Sequence, residues 1–166
     1  MALILVRHPR PRGGAGICYG RTDLPAGEDV AVVAARLRRE LPRPARLVTS
    51  PLARAAALAE RLAEVFGLEP ERDPRLAELD FGRWEGLAWD DVPRAELDAW
   101  AADLTGARPH GGESVAQMAA RVAAAVDSLQ GDRRPVVAVT HQGPIRAALA
   151  RAGHPAPWSV RTPFGA

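Results

Sequence analysis

The run PVVAVT, Pro135 to Thr140, restricts the possible folds more than any other stretch of this chain. Val136 to Val139 are apolar without alternation, the pattern of a strand covered on both faces. Leu3-Ile-Leu-Val6 repeats that pattern at the other end of the sequence. Such strands belong to parallel sheets sandwiched by helices. The segments between them fit this requirement. Val30, Val33, Ala34, Leu37 and Leu41 recur at helical spacing, Arg46 to Thr49 reads as a short strand, and Leu52 to Phe66 carries a second apolar helical stripe stopped by Gly67. Ser50 and Pro51 read as N-cap and first residue of that helix. A weak strand falls at 69–72, a helix near 93–104, and Ser114-Val-Ala-Gln117 is a capping box opening a helix to about Leu129. His141-Gln-Gly143 leads into a last helix with Pro144 at its first position, and an edge strand is expected at 159–163. The order predicts an α/β fold, a three-layer αβα sandwich with a mostly parallel sheet.

At 166 residues the chain has room for one full core, so 1–166 is read as a single domain. Its irregular stretch 73–112, rich in Trp, Gly, Pro and acids, is read as a lid-like excursion. The 22 basic residues are all arginine and face 20 acids, a net charge of +2, which is no footprint for nucleic acid. Cys18 is the sole cysteine, so neither a disulfide framework nor a cysteine metal site is expected. No signal-like segment and no long apolar span is present, which reads as a cytoplasmic protein without membrane contact. Oligomeric state is not legible.

In open parallel sheets ligands sit at the carboxyl ends of strands. Arg7-His8 follows the first strand, Ser50 to Arg54 the second, and His141-Gln-Gly143 the strand at 136–140. If these ends are neighbours, two imidazoles and two guanidiniums meet beside helix N-termini, and that is an anion site. Taken singly, each reads as structural. Arg54 is the exception, because a cation in the first turn of a helix opposes the macrodipole by roughly 0.3–1 kcal/mol. Spacing excludes other chemistries: no nucleotide-binding loop is possible without lysine, GGAGICYG has Tyr19 where a dinucleotide motif needs glycine, and GESVA lacks the last glycine of a nucleophile elbow. No metal set is evident. Among the acids of the 78–85 loop, the residues alone do not separate Glu78 from Asp80 or Glu85.

LVRHPRP resembles the strand-end Arg-His signature of the histidine phosphatase superfamily, also called phosphoglycerate mutase-like. TSPLARAAALAE, LAELDFGRWEG, HGGES and VTHQGPIRA are similar to further segments of that family, in the same order over most of the chain. The resemblance implies a phosphoglycerate mutase-like fold and a phosphomonoesterase that uses neither metal nor cofactor. It implies His8 as the phosphorylated nucleophile, Arg7, Arg54 and His141 as the phosphate pocket, Glu78 as proton donor, and Tyr19 and Gly20 as substrate contacts. Glu85 then falls on a structural glutamate. Pro9, Arg10 and Pro11 depart from the family's Gly, Glu or Gln, and Thr. RHPRP with CYGRTDLP resembles the α-ribazole phosphatase branch, so the expected substrate is α-ribazole 5′-phosphate in cobalamin biosynthesis. Two alternatives remain: a broad small-molecule phosphatase or phosphoglycerate mutase-like enzyme, and a catalytically silent phosphate-binding module.

Overall fold

A computed structural model describes residues 2–27, 29–131 and 135–166. Strands β1 (Leu3–Arg7), β2 (Arg46–Thr49), β3 (Pro70–Arg72) and β4 (Val136–Thr140) form one sheet in the order β1-β4-β2-β3, every pairing parallel. β4, the most apolar, is central, and all five of its residues are buried. Its alternate side chains serve opposite faces. Val137 and Val139 meet α1 (Val30–Glu40) and α2 (Ala53–Phe66) through Leu37, Leu58 and Leu62. Val136 and Ala138 meet α4 (Val115–Leu129) through Ala125 and Leu129, and α5 (Gln142–Arg151) packs beside α4. The result is the expected α/β/α layering.

Ser114 and Gln117 form the capping box that starts α4. α2 starts later than capping grammar predicts. Ala53 is its first residue, and the Ala53 N–H donates to Asp23 Oδ1 at 2.7 Å, so the cap comes from a distant loop. Ser50 is thereby released for another partner. Pro144 stands third in α5, whose first residue is Gln142. No strand forms at 159–163; a 3-10 turn at Pro157–Ser159 leads into an irregular tail. That tail is held by side chains, with Gln142 Nε2 and Arg146 Nε donating to the Val160 carbonyl and Arg7 to that of Thr162. Proline at 163 removes a ladder donor there.

The stretch 73–112 holds three 3-10 turns and the helix α3 (Arg94–Ala102). Phe81, Trp84, Trp89, Trp100 and His110 pack edge to face in it, with centroids 5.0–6.5 Å apart. The Cys18 N–H donates to Leu87 O and the Gly86 N–H to Cys18 O, which ties this nucleus to the loop after β1.

Candidate active site

The register brings the three strand ends side by side. Arg7 pairs with Thr140 and Thr49 with Val139. The His8 N–H donates to Thr140 O at 2.9 Å and the Ser50 N–H to Val139 O at 2.9 Å. His8 thus continues β1 by one residue, in the extended conformation that a following proline favours. His8 and His141 are 2% and 0% exposed, with ring centroids 4.9 Å apart.

His8 Nδ1 lies 2.6 Å from the Pro9 carbonyl oxygen. A carbonyl only accepts, so Nδ1 carries the proton and Nε2 the lone pair. Burial, seconded by the Arg54 and Arg7 guanidiniums, pushes the imidazole down to about 3, against the pull of the Pro9 bond. The ring is neutral at physiological pH. His141 Nε2 lies 2.7 Å from Ser50 Oγ. That hydroxyl accepts from the Leu52 N–H at 3.3 Å and has its own proton to give His141, which places the ring proton on Nδ1. Burial and then Arg54 hold His141 well below the ordinary histidine range.

Arg54 is wholly buried, donating to the carbonyls of Thr22 at 2.9 Å and Gly20 at 2.7 Å. Arg7 donates to Thr162 O at 2.6 Å and stacks its guanidinium 3.8 Å from the Phe164 ring centroid. Both guanidiniums hydrogen-bond to neutral carbonyl acceptors, and among the described residues no carboxylate forms an ion pair with either. Among the described residues, Arg7 Nε, Arg54 Nε and His141 Nδ1 are buried with no protein partner. A buried unpaired donor costs about 1–3 kcal/mol, so three at one sheet edge are a concentration of cost that a bound anion reverses.

Glu78 accepts from the Leu79 N–H at 2.9 Å and the Gly143 N–H at 3.2 Å. A Cβ on Gly143 would stand 2.1 Å from Glu78 Oε1, so glycine in HQG is what lets the carboxylate approach α5. Arg121 on α4 holds the main chain of this loop, donating to the carbonyls of Arg75, Ala77 and Glu78 while Glu113 binds its other edge. Glu85 has a different setting: it accepts from the amides of Gly20, Arg21, Thr22 and Phe81 and from the Thr22 hydroxyl. Gly20 is buried with no room for a side chain, since its Cβ would lie 1.7 Å from Leu79 O. Tyr19 packs its ring 5.1 Å from the Arg54 guanidinium carbon.

All seven residues singled out from sequence therefore lie around one sheet edge or in the loops bonded to it. Arg121 and Phe164 carry no local sequence signal, and the contacts of Ser50 with His141 and of Gly143 with Glu78 are not legible in their segments. The partners of all four are remote in sequence. The described residues contain no group of His, Cys, Asp and Glu able to hold a metal ion, and no helix long and apolar enough to cross a membrane.

Residues 3–163 match the model of the histidine phosphatase superfamily, branch 1. The glucosyl-3-phosphoglycerate phosphatase of Mycobacterium tuberculosis is 36% identical over 163 residues, covering 87% of this chain and 72% of that one. Phosphoserine phosphatase 1 of Hydrogenobacter thermophilus is 30% identical over 153 residues, covering 87% and 72%. The structure of mycobacterial glucosyl-3-phosphoglycerate phosphatase with inorganic phosphate superposes with a TM-score of 0.74 at 35% identity, covering 89% of this chain and 77% of that one. The chain belongs to branch 1 of the histidine phosphatase superfamily and is a phosphomonoesterase of that family.

Proposed function

We propose that this chain hydrolyses small phosphorylated metabolites through a phosphohistidine on His8. The observation that carries the reading is the His8 Nδ1–H bond to the Pro9 carbonyl, which leaves the Nε2 lone pair beside three unpartnered donors. The Nε2 lone pair forms the N–P bond while the ester P–O bond breaks and protonated Glu78 gives its proton to the leaving oxygen. Glu78, now a carboxylate, takes a proton from water as the new O–P bond forms and N–P breaks, releasing inorganic phosphate. Arg7, Arg54 and His141 stabilise the equatorial oxygens in both steps. Gly20 supports this indirectly, by its carbonyl on Arg54, and Tyr19 by its ring against the same guanidinium.

The broad small-molecule reading now stands ahead of the α-ribazole one. The relatives cited are named for glucosyl-3-phosphoglycerate and phosphoserine, and none of them points to α-ribazole 5′-phosphate or to cobalamin biosynthesis. The test is phosphate release from p-nitrophenyl phosphate, with an acid-labile phosphoprotein trapped from wild type and absent from His8→Ala. Lack of both in wild type would overturn the reading and favour a silent binding module. A panel of phosphoglycerates, phosphoserine, nucleoside monophosphates and α-ribazole phosphate then ranks substrates.

A further inference from the structure

Beside Glu78 lies a cavity of about 150 Å³ between the excursion, α4, α5 and the turn at 157–159. Its wall is mostly apolar, made by Leu79, Phe81, Trp100, Met118 and Trp158. A cavity of this volume accommodates a benzene-sized ring. One cation lines it, Arg146 on α5. Its Nε is committed to the Val160 carbonyl at 2.8 Å, and the same carbonyl receives Gln142 Nε2, so the guanidinium plane is pinned by main chain. Neither Nη group has a hydrogen-bond partner among the described residues, and Glu78, on the same wall, is near enough to act on the guanidinium without forming an ion pair with it. A pinned guanidinium with its Nη edge free is preorganised to bind a planar carboxylate through two parallel N–H bonds.

Resting on the phosphatase reading above, we propose that this cavity is the leaving-group subsite, and that it selects phosphomonoesters whose leaving group joins a compact apolar body to one carboxylate held by Arg146. The position fits the chemistry. Glu78 and Gly143 line the same cavity, so a group seated there has its ester oxygen next to the proposed proton donor. A carboxylate suits the wall better than a second phosphate, because one guanidinium balances one negative charge and a dianion in apolar surroundings leaves the excess uncompensated.

The test compares kcat/KM for 4-(phosphonooxy)benzoate with that for its neutral carboxamide analogue, in wild type and in Arg146→Gln. The wild type is expected to favour the benzoate by about tenfold or more, and Arg146→Gln to bring the ratio near one, with the loss falling on the benzoate. Arg146→Lys, which keeps the charge but not the fork, should restore only part of the ratio. A wild-type ratio near one, an equal loss on both substrates in Arg146→Gln, or a stronger preference for the 1,4-bisphosphate would each overturn the subsite. Failure of wild type on all three esters together with p-nitrophenyl phosphate would instead overturn the phosphatase reading, and the subsite with it.

Discussion

Glu78 and Glu85 stand at the two ends of one loop, and their surroundings are opposite. Glu85 is saturated by amides from two segments and by the Thr22 hydroxyl. Burial works to raise its carboxyl, but the Thr22 hydroxyl and the amides of Arg21, Thr22 and Phe81 outweigh burial and hold it below the ordinary range. Its charge is part of the fold: the ionised carboxylate joins residues 20–22 to the excursion, and residues 20 and 22 in turn orient Arg54. Among the described residues Glu78 accepts two amides, and its carboxylate lines a cavity. Two identical side chains a short distance apart thus take a structural and a chemical part according to how many donors the fold turns toward each.

The sharpest way to break this contrast is a pair of substitutions read by two assays. Glu78→Gln is expected to lower kcat on alkyl phosphates by roughly 100- to 10,000-fold, with much less loss on p-nitrophenyl phosphate, and to change unfolding free energy by under about 1 kcal/mol. Glu85→Ala is expected to cost about 3 kcal/mol in urea unfolding, because it strands several amides at once. A large activity loss with intact stability in Glu85→Ala, or the reverse in Glu78→Gln, would erase the distinction.

Gly143→Ala tests the same contrast from the side of α5. Its methyl group would enter at 2.1 Å from Glu78 Oε1, so the carboxylate must move. A loss of about tenfold is expected on poor leaving groups, again smaller on the aryl ester, with the Glu85 contacts untouched. Equal losses on both esters would place the effect in folding instead of proton transfer.

Acid gives the mildest separation. His8 titrates near 6.5 when unfolded and about 3 when folded, so between those values the unfolded chain binds more protons and stability falls as pH drops, by up to about 1.4 kcal/mol per unit. His141 acts in the same direction. Glu85 has its folded value below the ordinary 4.5, so its contribution is intact above that and fades only as pH falls through the folded value. Melting temperature is therefore expected to decline from pH 6.5 to 5, less so in His8→Asn, with Glu85→Gln leaving that slope unaltered. A decline that begins only below pH 4.5 would contradict the burial of neutral histidines.

Much of this architecture is readable in the chain because its signals are local. Unbroken apolar runs mark β1 and β4, and the Ser114 box fixes the start of α4. Ser50 shows where local reading fails. A serine before proline has the grammar of a helix cap, yet its hydroxyl is taken by His141, a residue far along the chain. The expected edge strand failed for a related reason: residues 160–162 are fixed by Gln142, Arg146 and Arg7 side chains, a mode of anchoring that leaves no periodicity. The acid loop is the third case. Composition gives Glu78, Asp80 and Glu85 equal standing; the amides aimed at Glu85 and the cavity lined by Glu78 are tertiary features that leave no mark in the local sequence.

The oxygen that sets the tautomer of His8 belongs to the backbone of residue 9, so any amino acid at that position supplies it. The choice of attacking nitrogen is consequently encoded in chain path and not in side-chain identity, which shields it from point mutation at its own acceptor. Proline at 9 changes the loop's donors while leaving that oxygen in place. A loop free to vary in this way can be reshaped for new substrates without renegotiating which atom of the enzyme reacts.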